Sequence, residues 1–293
     1  TRFLNFIKLK IQHILVILLS FHSFSYAADI QRITYASWNQ PDVELLYVLP
    51  EVINLDTKVL FIIHGGSRGA ERYLKYWIND TRDKNVILVA PHFTKENYPY
   101  YSTLGMATHS GKIIDDKSHW LRNSISSFYT FFKSRYNLKT HKYRIFGFSG
   151  GSQFVHRYLM YGADTGIEKA AIGSAGWYTF LNYSPFPYGI KNMPLEPGRI
   201  EWLMSQEVLF LLGDEDNDPN HSSLNSSKGA LKQGPHRYAR GYNYFNTMVK
   251  VGNNFQIPFR WRYQVVKGVD HDTKKMSLAA MPYLLEDLDY KTN

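Results

Sequence analysis

Tyr143-Arg-Ile-Phe-Gly-Phe-Ser-Gly-Gly151 is the stretch on which the fold of this chain turns. Tyr143 to Phe148 reads as a short apolar strand. The chain then turns sharply at Ser149 and enters a helix near Gly151, which Ser152 to Tyr161 continues without a breaker. Gly147-Phe-Ser149-Gly-Gly151 fits the G-x-S-x-G pattern of a nucleophile elbow. A serine at such a turn sits in a strained backbone conformation. The residues two before and two after it must therefore be small, so that strand and helix can approach. The turn lifts the Ser149 hydroxyl to the end of a sheet and aims a helix N-terminus at it. Five residues of this kind are common by themselves. Their position between a strand and a helix distinguishes them from an ordinary glycine-rich turn.

Outward from the elbow, strands alternate with helices. Ile30 to Tyr35 reads as an edge strand and Val43 to Leu49 as another, ended by Pro50. Lys58-Val-Leu-Phe-Ile-Ile63 is a continuous apolar run, the signature of a strand buried on both faces. It leads into His64-Gly-Gly-Ser-Arg-Gly69, followed by an expected helix over Ala70 to Asp80. Further strands are expected at Asn85 to Ala90, Lys169 to Gly173, Glu207 to Leu212 and Arg260 to Val266. Helices are expected at Asp115 to Tyr136, past Pro235, and near Thr273 to Asp287. This alternation predicts an α/β fold with a mostly parallel sheet covered on both faces. Residues 177–205 hold four prolines and several aromatics, and read as a cap-like excursion over the sheet rather than a separate domain.

Ser149 alone is a poor nucleophile at neutral pH. It needs a base, a carboxylate to orient that base, and donors for the developing oxyanion. Candidates for each lie at the C-terminal ends of expected strands, where sites form in open parallel sheets. The base candidate is His271, in the polar turn Gly268-Val-Asp-His-Asp272 after the last strand. Eight other histidines between His64 and His236 compete, but only His271 follows the acid in the right position after a final strand, in the order serine, acid, histidine. The acid lies in Gly213-Asp-Glu-Asp-Asn-Asp218. Asp216 is favoured and Asp214 stands next to it as the alternative. The spacing of Asp214, Asp216 and Asp218 also resembles a calcium loop, but the glycine and distal glutamate of an EF-hand are missing. The amides of Gly150 and of Gly66, in the His64-Gly-Gly loop, are the candidate oxyanion donors.

His64-Gly-Gly, Gly147-Phe-Ser-Gly-Gly151, Gly213-x-x-Asp216 and Val269-x-His271 together resemble the α/β-hydrolase superfamily over about residues 43–290. Within it the chain is similar to bacterial secreted esterases of the polyhydroxybutyrate-depolymerase and feruloyl-esterase-like group. The finer likeness rests on His-Gly-Gly-x-Arg68, the helix start Ser149-Gly-Gly-x-x-Phe-Val-His-Arg157, and Gln233-Gly-x-x-Arg237. The chain departs from disulfide-bearing members in having no cysteine. The resemblance implies a sheet of about eight strands and hydrolysis of carboxylic esters, small or polymer-derived, through an acyl-serine intermediate without a cofactor or metal. A peptidase or amidase on the same fold would use the same residues. A catalytically silent binding protein is a further alternative. Arg68, His156, Arg157, Arg237 and Arg240 are either packing charges or ligands for an acidic group on the substrate. Tyr98, Tyr100, Tyr101, Trp177, Tyr178, Tyr183, Phe186 and Tyr188 either line a pocket or pack the excursion.

Composition sets the outer limits. The 293 residues, 44% of them hydrophobic, suffice for one large α/β domain. The absence of cysteine excludes thiol catalysis, thiolate metal sites and disulfides. The net charge of +9 is scattered, with no basic run of the kind nucleic-acid binding uses, so no nucleic-acid partner is expected. Arg2, Lys8 and Lys10, the apolar stretch Ile11 to Leu19, and Ser25-Tyr-Ala27 read as a cleavable signal peptide over residues 1–28. That expectation sends the catalytic domain, 29–293, to the periplasm or outside the cell, without a stable membrane span. An uncleaved N-terminal anchor is the alternative. Oligomeric state is left open.

Overall fold

The computed structural model describes residues 29–290; the expected signal peptide lies outside them. The strands are β1 (Gln31–Tyr35), β2 (Val43–Val48), β3 (Lys58–Ile63), β4 (Val86–His92), β5 (Tyr143–Phe148), β6 (Ile167–Gly173), β7 (Glu207–Gly213) and β8 (Arg262–Val266). They form one eight-stranded sheet in the order β1-β2-β4-β3-β5-β6-β7-β8. β2 runs antiparallel to both β1 and β4, and every pair from β4 to β8 is parallel. The helices are α1 (Ala70–Lys75), α2 (Ser124–Arg135), α3 (Gly150–Tyr161), α4 (Arg199–Ser205), α5 (Lys228–Leu231), α6 (Arg237–Phe255) and α7 (Thr273–Leu284). The mostly parallel eight-stranded sheet expected from the sequence is thus present. Among the described residues no helix is long and apolar enough to cross a membrane.

The central strands are apolar without interruption because alternate residues feed two separate cores. In β3, Val59, Phe61 and Ile63 pack with Phe128 and Phe132 of α2 and with Phe154 and Tyr158 of α3. Leu60 and Ile62, pointing the other way, pack with Leu74 and Trp77 near α1 and with Met276, Ala280 and Leu284 of α7. Each such buried aliphatic side chain contributes about 1.5–3 kcal/mol relative to an exposed one. A polar residue at either register would break one layer.

Three elements differ from expectation, each for a local reason. α1 stops at Lys75 rather than Asp80. The Tyr76 and Trp77 amides donate to carbonyls three residues back, Tyr73 and Leu74, which tightens the last turn. Trp77 is buried, its ring centroid 5.1 Å from that of Phe146. α2 starts at Ser124 rather than Asp115. Asp116 accepts from the Ser118 amide at 2.9 Å and caps a single 3-10 turn, after which Trp120 is extended. The 177–205 excursion ends in α4, entered through Pro197-Gly198, with Arg199 buried against the Gly162 carbonyl.

Candidate active site

The elbow follows from sterics at two glycines. A Cβ on Gly147 would stand 2.3 Å from the Gly151 carbonyl oxygen, and one on Gly151 would stand 2.1 Å from that of Ile63. Real side chains do not tolerate such distances, so β5, α3 and β3 meet this closely only with glycine at both places. Between them Ser149 has φ 56 and ψ −118, a region where non-glycine residues are strained. The strained residue is held from both sides. Its amide donates to the Gly173 carbonyl of β6 at 3.0 Å, and its carbonyl accepts from the Gln153 amide of α3 at 3.0 Å.

The loops after β7 and β8 bring two further side chains to Ser149. The Ser149 hydroxyl lies 2.9 Å from His271 Nε2, and His271 Nδ1 lies 2.7 Å from Asp216 Oδ2. An ionised carboxylate only accepts, so Nδ1 carries the proton and donates to Asp216. Nε2 is left to accept from the hydroxyl. The imidazole rests on Phe148, ring centroids 4.7 Å apart.

The three aspartates of the acidic loop have different partners. Asp216 is buried and pairs with His271. Asp214 accepts from the Gly268 amide at 2.7 Å and faces Lys267 at 3.3 Å, holding the turn after β8. Asp218 accepts from the Asn220 amide at 2.8 Å in a local turn. They do not converge, and among the described residues no group of His, Asp or Glu is arranged to hold a metal ion.

Arg237, the first residue of α6, is buried and stands 3.3 Å from Asp216 Oδ1. Its other terminal nitrogen donates to Ser223 Oγ at 2.8 Å. The sequence singled out Arg237 without assigning it a place beside the acid. Burial pushes the Asp216 carboxyl up, but the hydrogen bond and charge of His271 and the charge of Arg237 outweigh it, and the carboxyl sits below its usual range. Burial pushes His271 down. Asp216 pulls it up, Arg237 and His221 push it down again, and it ends below the ordinary histidine value of 6.5. A neutral imidazole at pH 7 is the form that can take a proton.

Gly66 and Gly150 also come together. A Cβ on Gly150 would lie 2.8 Å from the Gly66 nitrogen and 2.6 Å from the Tyr101 hydroxyl. The Gly66 amide has no acceptor among the described residues. Gly150 opens α3 and so presents one of the unpaired amides of a helix N-terminus.

The remaining histidine and arginine candidates separate by burial. His64 is buried and its pKa falls to about 3 through desolvation; Nδ1 donates to the Gly65 carbonyl and Nε2 accepts from the Phe93 amide. His156 repeats this between the Ser152 carbonyl and the Thr179 amide. Both are neutral struts. Arg240 is buried against the Gly176 and Gly234 carbonyls. Among the aromatics, Tyr101 and Trp177 line a cleft of about 750 Å³ at Ser149. Tyr98, Tyr178 and Phe186 lie in the core, and Tyr183 points to solvent.

Sheet order, elbow and the meeting of three loops at the strand ends define the α/β-hydrolase fold, and the chain is an α/β-hydrolase by architecture. Its solved neighbours give that class more detail. It is similar to poly(aspartic acid) hydrolase-1 from Sphingomonas sp. KT-1, at 27% identity and a TM-score of 0.82, over 88% of this chain and 98% of that one. It is similar to LpqC, a poly(3-hydroxybutyrate) depolymerase from Bordetella parapertussis, at 25% identity and a TM-score of 0.80, over 90% of this chain and 92% of that one. A ferulic acid esterase shares the fold alone, at 15% identity and a TM-score of 0.52, over 87% and 96% of the two chains. No protein-family model and no curated protein matches the sequence.

Proposed function

We propose that this chain is a serine hydrolase that cleaves carboxylic esters through an acyl-serine intermediate. The observation that carries the reading is the continuous relay from Ser149 through His271 to Asp216, with contacts of 2.9 and 2.7 Å. His271 Nε2 takes the hydroxyl proton as Ser149 Oγ attacks the ester carbonyl carbon. The oxyanion forms between the amides of Gly66 and Gly150, each such donor lowering the barrier by about 3 kcal/mol. The imidazolium then protonates the leaving alcohol, and the acyl-serine remains. Water attacks it with His271 as base and regenerates the hydroxyl. Asp216 fixes the tautomer that makes both proton transfers possible. Export to the periplasm or beyond, on the strength of residues 1–28, belongs to the same proposal.

The substrates in the names of the hydrolase-1 and LpqC structures support a polymer-derived substrate and differ in linkage. Poly(3-hydroxybutyrate) is a polyester, and poly(aspartic acid) is a polyamide. The second name favours a second reading, an amidase with the same relay. Short p-nitrophenyl esters assayed beside matched aminoacyl amides separate the two. We expect the esters to turn over faster. Amide turnover at a comparable rate, with the esters slow, would replace the first reading by the second.

The acid limb of the pH profile follows from His271. Catalysis needs the neutral imidazole, so kcat/KM rises as pH climbs through its pKa. With that pKa held below 6.5 by burial, and lowered further by Arg237 and His221 against the pull of Asp216, the half-maximal point lies on the acid side of 6.5. Arg237→Gln removes a cation that opposes the imidazolium. It is expected to move that point upward, as a pH–rate series on both proteins would show. An unmoved or more acidic limb contradicts this role for Arg237.

A further inference from the structure

We propose that the cleft selects substrates carrying a carboxylate within a few bonds of the scissile carbonyl, with Arg72 and Lys95 as the groups that meet it; the proposal rests on the serine-hydrolase reading above. The side chains lining the cleft include Arg68, Arg72, Lys95 and Arg237, and no aspartate or glutamate. Arg237 is already neutralised by Asp216 beneath it. The other three take part in no ion pair among the described residues.

Arg68 is fixed in place without being neutralised. Its backbone has φ 61, an uncommon conformation for arginine. Its guanidinium donates to the carbonyls of Phe93 at 2.7 Å, Tyr98 at 3.0 Å and Pro99 at 3.1 Å, and lies 4.0 Å from the Tyr101 ring centroid. All of these partners are neutral. Glu96 on the same loop is exposed and outside ion-pair distance, so its attraction for Arg68 acts only at longer range through solvent. Behind the opposite wall, Arg157 is wholly buried and has no carboxylate partner either. It donates to Thr179 Oγ1, the Ser102 carbonyl and the Gln153 carbonyl, and sits 4.3 Å from the Trp177 ring centroid, with one terminal nitrogen unpartnered. Ser102, Gln153 and Trp177 all line the cleft. Two immobile cations set in low-dielectric walls focus a positive potential into the space above Ser149.

Arg72 and Lys95 are the mobile members. Both are exposed, and Lys95 has no hydrogen-bond partner among the described residues. Arg72 donates from one terminal nitrogen to Ser67 Oγ at 2.7 Å, which tethers it to the residue beside Gly66. Its remaining N–H groups are free to form charge-assisted bonds to a carboxylate. An anion is thus drawn by the fixed pair and met by the mobile pair next to the oxyanion donors.

Monoethyl succinate and ethyl butyrate, followed by acid release, test this directly, because their acyl chains match in length and differ by the carboxylate, and the ethoxide leaving group is too poor for that carboxylate to expel by itself. The expected result is a kcat/KM ratio favouring the succinate about tenfold at low salt, shrinking as salt screens the attraction. The Arg72→Gln/Lys95→Gln double variant should lower that ratio about tenfold, chiefly through KM, as expected for ground-state binding. Arg72→Lys/Lys95→Arg should restore most of it. A wild-type ratio at or below one, or a ratio untouched in the neutral double variant, overturns the proposal while leaving ester hydrolysis intact. No turnover of either ester by folded protein sinks the hydrolase reading, and this selectivity with it.

Discussion

Ser149→Ala is expected to lower the turnover of a short p-nitrophenyl ester by about 10⁶-fold, the scale seen when a serine hydrolase loses its nucleophile. The residue above water should come from the oxyanion donors and substrate binding, which the substitution leaves alone. The fold should barely respond. The hydrogen bonds that hold residue 149 are made by its backbone, to Gly173 and from Gln153, and among the described residues the lost hydroxyl bonds to His271 alone. A thermal midpoint within a few degrees of wild type is therefore expected, consistent with about 0.5 kcal/mol. Turnover and midpoint measured on the same preparation separate a missing nucleophile from a missing fold.

Asp216→Asn is expected to cost about 10⁴-fold in kcat. An asparagine can offer an N–H to His271 Nδ1, which then becomes the acceptor. The imidazole proton moves to Nε2, which can no longer accept from Ser149. Asp214→Asn should stay within a few fold of wild type, because Asp214 holds Gly268 and Lys267 rather than His271. The comparison identifies the acid by function. Asp216→Asn also leaves the buried Arg237 guanidinium without its carboxylate, at a stability cost of about 3 kcal/mol. Both variants should be assayed at a temperature where circular dichroism shows them folded. Equal loss in the two, or none in Asp216→Asn, would reject this role for Asp216.

Much of the fold was legible because its signals are local. β3 is apolar at every residue after Lys58 since both sides of the sheet are covered, and the two glycines around Ser149 are required by contacts within one strand-turn-helix unit. The three residues of the relay were legible as candidates through their positions after strands β5, β7 and β8. Spacing after Gly213 favoured Asp216 but left Asp214 open, because alternate residues of one loop differ only in which way the backbone turns them. That turn is set by the Asp216 amide donating to the Gly213 carbonyl and its carbonyl accepting from the Tyr238 amide, the second a contact across the fold. Arg237 escaped for the same reason. Nothing in its neighbourhood in sequence signals a carboxylate, which arrives from a loop 21 positions earlier. The early end of α1 and the late start of α2 also depart from the sequence reading. One depends on Trp77 reaching Phe146 in β5, and the other on Asp116 outcompeting a longer helix for the Ser118 amide.

The arginines teach a related lesson. Composition presents Arg68, Arg157, Arg237 and Arg240 as equivalent surface charges, but the fold buries three of them completely or nearly so. Each finds carbonyls or a carboxylate in place of water. Their burial is affordable because a guanidinium spreads its charge over several donors, which loop carbonyls can satisfy.

The most direct measurement is the mass of the folded wild-type protein after exposure to a fluorophosphonate, with the modified peptide sequenced. The expected result is one phosphonyl group per chain, carried by Ser149, forming more slowly as pH falls below the His271 pKa. A folded protein that remains unmodified, or one labelled at a different residue while Ser149 stays free, would contradict the assignment of Ser149 as the nucleophile.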